Sequence, residues 1–255
     1  MDVSYWNQIA PNYEDEIFNL FRHDKNNKLK KVIRQYGSSS GIAADFGSGI
    51  GNGLPLMAKA FKQVDAYDLS AKNIRKSSII HRELNNIDYQ RADLSHAVIP
   101  KSRYDFALCV CCLIMPSLTI RQKVFNNIVA SLKRNGSLLL VVPSLESAAL
   151  VNNKLIEWNL ADGLSAKSAL KAGFDNTADI PATDIRQGVY PIEGVRTKHF
   201  GREELLDLPS KKVAGKTISA KRVFKIEYEW DGVFNGLPKS LQTALPWDWA
   251  LLINR

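Results

Sequence analysis

The run Ala43-Ala44-Asp45-Phe46-Gly47-Ser48-Gly49-Ile50-Gly51-Asn52-Gly53 carries an apolar stretch directly into a glycine-rich turn. Glycines allow dihedrals that other residues avoid and let a bound molecule come close, while a helix following the turn offers free amides. The spacing is not that of a dinucleotide fingerprint. Counting G-x-G-x-x-G from Gly47 puts Asn52 at the last glycine, and counting from Gly49 puts Leu54 there, so a nicotinamide cofactor is disfavoured. Asp68 lies 21 positions after Gly47, at the end of the next strand signal, where an acid can accept hydrogen bonds from the ribose hydroxyls of an adenosine. Asp93 follows a third strand signal and is placed to face an adenine amine, with Leu94 against the ring. Asp45, just before the turn, is placed to orient the amino end of a ligand. Any one of these aspartates alone reads as a cap or turn residue; in order, at the ends of successive strands, they read as a site.

The elements needed to hold those residues are legible as alternating strand and helix signals. Strands are expected at Ile42 to Phe46, Val64 to Asp68, near Tyr89, Asp105 through Cys111 and Ser137 to Val142, with helices at Leu54 to Phe61, Ala71 to Ile80 and Ile120 to Leu132. This alternation predicts a Rossmann-like α/β fold, a mostly parallel seven-stranded sheet with helices on both faces. Before it, Tyr5, Trp6, Ile9, Tyr13, Ile17, Phe18 and Phe21, broken by Pro11, predict two short helical pieces, then a helix from Asp24 to Tyr36 stopped by Gly37 and a loop at Ser38-Ser39-Ser40-Gly41. After Pro143 a helix from Leu145 to Trp158 gives way to Asn159 to Tyr190, which has no strong period. Ile218 to Trp230 and Trp247 to Asn254 read as strands that pair antiparallel at one edge of the sheet.

With its motifs in this order, the chain resembles a class I S-adenosylmethionine-dependent methyltransferase, well from Tyr5 to Pro143 and loosely thereafter. The first motif of that family is matched by Asp45-Phe46-Gly47-Ser48-Gly49-Ile50-Gly51. The resemblance implies S-adenosyl-L-methionine as cofactor, Asp68 with Leu69 at its ribose, Asp93 and Leu94 at its adenine, and Leu108-Cys109-Val110 beside its methionine part. Tyr5 to Tyr13 resembles the N-terminal helix that covers the cofactor in many small-molecule methyltransferases, with Tyr13 near the cofactor's carboxylate. Where many relatives carry histidine or an acid after the fourth strand, this chain has Ile114-Met115-Pro116, and it lacks the Asn-Pro-Pro-Tyr type of motif of base amino-group methylases. The implied activity is methyl transfer to a small organic acceptor entering beside Cys109 and Ile114. Two rivals stay open, a nucleic-acid methyltransferase and a non-catalytic cofactor-binding module of the same fold.

No catalytic base is assigned, since in-line displacement at a sulfonium needs one only when the acceptor must lose a proton. Tyr190, His199, Trp158, Trp230, Trp247 and Trp249 are candidates to line or rim the acceptor site. An exposed loop is the expected setting of His199, near Glu193, Arg196 and Lys198, and a helix-end surface position that of His81. Cys109, Cys111 and Cys112 invite a thiolate or metal reading. Alternate strand residues point to opposite faces, however, so Cys111 and Cys112 reach one ligand only if the strand has already ended. Core cysteines and no metal are expected. The basic stretches Arg22 to Arg34 and Arg196 to Arg222 could track phosphates, but a solvated helix face and a charged sheet edge account for them as well.

The 255 residues, 45% hydrophobic and 24% charged, suit one folded domain over 1–255, with a helical cover at 1–37, a cofactor-binding core at 42–143 and an acceptor-side region at 144–255. The longest apolar run, Phe106 to Met115, is too short to span a bilayer, no secretory leader is apparent, and clustered cysteines are the wrong arrangement for a disulfide framework. A cytoplasmic protein with no membrane partner is expected. The net charge of +8 favours an anionic partner without choosing one.

Overall fold

A computed structural model describes residues 2–174, 180–192, 194–208 and 218–255. The chain begins with α1 (Val3–Ile9), one 3₁₀ turn at Ala10–Asn12, α2 (Tyr13–Glu16), α3 (Leu20–His23) and α4 (Lys28–Tyr36). The parallel core follows as β1 (Ser38–Phe46), α5 (Leu54–Ala60), β2 (Phe61–Asp68), α6 (Ala71–Ile80), β3 (Ile87–Arg91), β4 (Tyr104–Val110), α7 (Leu118–Ser131) and β5 (Leu132–Pro143). Beyond it come α8 (Leu145–Ala161), α9 (Ala166–Phe174), α10 (Ala182–Ile185), β6 (Val189–Ile192), β7 (Val195–Lys198), α11 (Arg202–Asp207), β8 (Ser219–Glu227) and β9 (Trp247–Asn254).

Seven strands form one sheet in the order β3-β2-β1-β4-β5-β9-β8. β1 to β5 pair in parallel, and β9 runs antiparallel to both β5 and β8. The Rossmann-like sheet and the antiparallel edge pair are therefore as read from the sequence. Residues alternate between two cores: Leu138 and Leu140 of β5 pack on one face with Phe46 and Trp249, Leu139 and Val141 on the other with Ala43 and Leu252. Burial on both faces explains why these strands are continuous apolar runs rather than alternating ones. The strand order reverses between β1 and β4, which opens a crevice beyond their carboxyl ends, where ligands bind in open α/β sheets.

Three expectations are corrected. Ser38 to Gly41 is not a loop but the exposed start of β1; Ser38 pairs with Phe61 before a register irregularity, and its polar side chains hid the strand. β5 begins at Leu132 rather than Ser137, because Leu132 pairs with Tyr104 ahead of a left-handed residue, Asn135 at φ 70°. The stretch 159–190 contains α9 and α10. α9 rests on α8 with Gly173 against Ile156, and its buried Ala169 is another small residue. Among the described residues no helix is long and apolar enough to cross a membrane.

Candidate active site

The glycine turn is shaped by its own chain. Gly47, Gly49 and Gly51 have φ of 73°, 56° and 87°, a region open to glycine at no steric cost. The Gly47 and Ser48 amides donate to the Tyr67 carbonyl at 2.8 and 2.9 Å, tying the exit of β1 to the end of β2. Asp68 completes the tie. Its Oδ2 accepts from the Gly49 amide at 2.9 Å, and its Oδ1 accepts from the Ser70 amide at 2.8 Å and from Asn73 Nδ2 at 3.3 Å. Space over each glycine is taken by a protein group. A Cβ on Gly47 would meet Cys112, one on Gly49 the Tyr13 phenol, and one on Gly51 the side chains of Ser77 and His81.

Around this turn lies one cleft of about 1740 Å³. It brings together Tyr13, Asp45, Gly47, Ser48, Asp68, Leu69, Asp93, Leu94, Val110, Ile114, Tyr190 and His199, all proposed from the sequence. Three other sequence candidates sit elsewhere. Gly51 faces α6, Gly49 is covered by Tyr13, and Cys109 is fully buried in the core beside the cleft. Trp247 is on the cleft wall, whereas Trp230 and Trp249 are buried and bonded, their indole N–H groups donating to the Ala244 carbonyl and to Glu146. The N-terminal helices roof the cleft. Lys76 Nζ donates to the Ala10 and Pro11 carbonyls at 3.2 and 2.9 Å, and Ser70 Oγ to Asn7 Oδ1 at 2.7 Å.

The electrostatics of the floor are one-sided. Asp45 is buried, and burial followed by the nearby Asp68 charge pushes its carboxyl up to about 7. Burial likewise raises Asp68, against the hydrogen bonds from Ser70, Gly49 and Asn73. The Tyr13 phenol is raised by burial and then by Asp68. Ser48 Oγ, also in the cleft, is buried without a hydrogen-bond partner. Asp93 is half exposed and closes an Asx turn on the Ser95 amide at 2.9 Å, with His96 3.1 Å away.

His199 is not on an exposed loop, as expected, but 6% exposed on the cleft wall. Its Nδ1 lies 3.1 Å from the Thr197 carbonyl, a contact that requires an Nδ1–H donor and leaves Nε2 as an acceptor. Burial lowers its pKa to about 4, assisted by the neighbouring Lys198 charge, so the ring is neutral at physiological pH. His81 is not a free surface group either: its Nε2 is 3.2 Å from the Ile50 carbonyl in the glycine turn. β4 ends at Val110 and Cys111 is left-handed at φ 50°, so the strand has ended before Cys111 and Cys112 and both line the cleft. Much of the basic charge is paired off, Arg196 with Asp184, Lys198 with Glu204, Lys28 with Glu227 and Lys25 with Glu229. Glu193, Lys211, Lys212 and Lys216 lie outside the described residues.

Residues 43–136 match the family model of a methyltransferase domain. The chain therefore carries a methyltransferase domain over those residues, in keeping with the class I S-adenosylmethionine-dependent pattern of its motifs. The whole chain has the fold of several solved structures. A SAM-dependent methyltransferase of Methanosarcina mazei is 19% identical with a TM-score of 0.61, covering 88% of this chain and 96% of that one. The magnesium protoporphyrin IX methyltransferase of Synechocystis PCC 6803, solved with bound SAH, is 14% identical with a TM-score of 0.61, covering 99% and 97%. A phosphoethanolamine N-methyltransferase of Haemonchus contortus, in complex with phosphoethanolamine and S-adenosylhomocysteine, is 14% identical with a TM-score of 0.58, covering 98% of this chain and 48% of that one. No curated protein matches by sequence.

Sequence reasoning missed Asp248 and Tyr228. Both line the cleft, and Asp248 is 8% exposed. A signal was present: Asp248 is the lone acid in the apolar strand Trp247-Asp248-Trp249-Ala250-Leu251-Leu252-Ile253.

Proposed function

We propose that the protein transfers a methyl group from S-adenosyl-L-methionine to a small organic acceptor. The observation that carries this reading is the pair of buried carboxylates, Asp45 and Asp68, flanking a glycine turn with no basic side chain between them. A buried carboxylate without a positive partner is costly, so the floor is built for a cationic ligand. It would repel the pyrophosphate of a nicotinamide cofactor. The cofactor, when bound, supplies a methyl group made electrophilic by its sulfonium. Asp45 would pair with its ammonium, Asp68 and Leu69 would hold the ribose, and Asp93 with Leu94 would face the adenine. Tyr13 and the roof helices would shield the bound cofactor from water, and desolvation would strengthen the charge interactions around it.

The acceptor end is lined by Ile114, Met115, Tyr190, Val195, His199 and Trp247, mostly apolar with a few polar groups, as small-molecule sites are. Similar-fold enzymes whose names specify phosphoethanolamine and magnesium protoporphyrin IX support a small acceptor. His199 Nε2, neutral and free to accept, orients a hydroxyl or amide of that acceptor. The three segments of the chain act as one domain in this reading, and its three free cysteines support a cytoplasmic setting.

The test is calorimetric titration of wild type and Asp68→Ala with S-adenosylmethionine, S-adenosylhomocysteine and NAD. Saturable binding of the first two, weakened in the variant, is expected; preference for NAD, or no binding, would overturn the assignment.

A further inference from the structure

Asp248 is the second residue of β9, at the same sheet edge as the glycine turn, in register with Pro143 of β5 and Ile226 of β8. Two ionisable groups meet it. Cys111 Sγ donates to Asp248 Oδ2 at 3.9 Å from the exit of β4, and the Tyr228 phenol hydrogen-bonds the same carboxyl from the segment after β8. Neither carries a positive charge, and Lys225, the nearest cation in the register, stands over the Trp247 and Trp249 rings on the opposite sheet face. Burial drives the Asp248 carboxyl up to about 7, and burial with the Asp248 charge raises both Tyr228 and Cys111.

The surroundings are apolar and aromatic. The Tyr228 ring lies 4.8 Å from that of Phe18, and Ile17, Val233 and Phe234 line the same wall. A second observation, on the neighbouring residue whose ring leaves the other face of the sheet edge, points to a ligand in the same cleft. Trp247, 9% exposed and on the cleft wall, has its indole N–H without a hydrogen-bond partner. Buried donors are nearly always satisfied, so a polar group of a bound molecule is the natural partner.

We propose that Asp248, held by Tyr228 and Cys111 within an aromatic wall, is the anchor for a basic amine carried by an apolar methyl acceptor. The inference rests on the methyltransferase reading above and narrows its acceptor class. An ammonium fits because it supplies the positive charge that the buried carboxyl lacks, and one of its other N–H groups can be taken by Tyr228 Oη, which also hydrogen-bonds Ser147. The Tyr228 ring favours a cation as well, while Phe18, stacked on His23 on one side, packs against that ring. The ammonium can then pass one N–H proton to an Asp248 oxygen, which breaks the N–H bond, forms an O–H bond and frees the nitrogen lone pair.

The probe is phenethylamine, compared with 2-phenylethanol and phenylacetate, titrated into protein saturated with S-adenosylhomocysteine. Wild type should bind the amine about tenfold or more tighter than the alcohol or the acid, the range of a charge-assisted hydrogen bond. Asp248→Asn, nearly isosteric, should lose that preference, and Tyr228→Phe should lose part of it. Equal affinity for the three probes, tighter binding of the acid, no binding of the amine, or an unchanged preference in a folded Asp248→Asn protein would each overturn the inference. The wild-type comparison decides the matter even if the variant fails to fold. S-adenosylhomocysteine affinity, measured in the same cell, separates the two readings: if it is absent the methyltransferase reading fails, and if it is normal while amine preference is missing only the amine anchor fails.

Discussion

Asp68→Ala removes more than a contact to a ligand, because the carboxylate is what holds the glycine turn in place. In the folded protein Asp68 accepts from two backbone amides, Gly49 at 2.9 Å and Ser70 at 2.8 Å, and more weakly from Asn73 at 3.3 Å. At 8% exposure little water is at hand to replace it. A buried donor left unsatisfied costs about 1–3 kcal/mol, so the two amides together set a loss of roughly 2–6 kcal/mol. Against this, the variant no longer buries a carboxylate whose pKa burial raises, which returns part of the loss. A net destabilisation of about 2–4 kcal/mol follows, or roughly 5–12 °C in melting temperature for a chain of this length. S-adenosylhomocysteine affinity should fall at least about tenfold, since the turn and the proposed ribose acceptor are lost together. Asp68→Asn should fall between wild type and Ala, because its one oxygen serves one amide while its NH₂ meets the other. Differential scanning calorimetry and isothermal titration on the three proteins check both numbers. A variant that melts with wild type would refute the role of Asp68 in the turn, and wild-type affinity would refute its role at the ribose.

Asp45→Asn should change the pH dependence of stability. A carboxyl raised from 3.8 to about 7 contributes stability that is full below pH 3.8 and is lost as pH rises through 7. Relative to wild type, the variant should gain about 2–3 kcal/mol between pH 5 and pH 8, read from urea unfolding at both; a pH-independent difference would sink the idea. His199→Gln should act in the opposite window. The neutral ring stabilises above pH 6.5 and that contribution, roughly 3 kcal/mol, is lost as pH falls through 4, so the variant should lose less stability than wild type in acid denaturation. Gly47→Ala should cost more than Gly163→Ala. Both have positive φ, which costs about 1 kcal/mol on its own, but only Gly47 would drive a methyl to 2.7 Å from Cys112. Equal melting temperatures would show that Cys112 shifts freely.

The glycine turn and the aspartates that flank it were legible in the sequence because they are local. A strand, a glycine turn, a helix and an acid at the next strand end lie within 25 or so consecutive positions, and the βα pattern fixes where each one falls. Asp45, Gly47 and Asp68 needed no distant partner to be recognised. What was illegible depends on contacts made far along the chain. His199 reads as a loop residue among charges, yet its amide donates to the Gly188 carbonyl at 2.7 Å and the Phe200 amide to Pro143 at 2.8 Å, which docks the segment against the sheet. Tyr228 and Cys111 meet Asp248 only because β9 inserts between β5 and β8, a pairing with no signature in any one segment. α9 escaped for another reason: it is short, and where it meets α8 it does so at Gly173, a residue with no side chain to add to an apolar pattern.

The charge of the chain and the charge of the cleft have opposite signs, and this bears on what the protein binds. The sequence carries a formal +8, which at first reading suits an anionic partner. Yet Lys25, Lys28, Lys133, Arg196 and Lys198 are paired with carboxylates away from the glycine turn. The cleft itself is lined by six carboxylates, Asp2, Glu16, Asp45, Asp68, Asp93 and Asp248, against a single arginine, Arg91. Surface charges act through water and salt and decay within about 10 Å, whereas Asp45 and Asp248 are buried where screening is weak. The short-range field therefore decides what is held, and it selects positive groups. A sulfonium with an ammonium at the β1–β4 crevice and an amine at the β9 edge would each meet a carboxylate that no cation among the described residues is paired with.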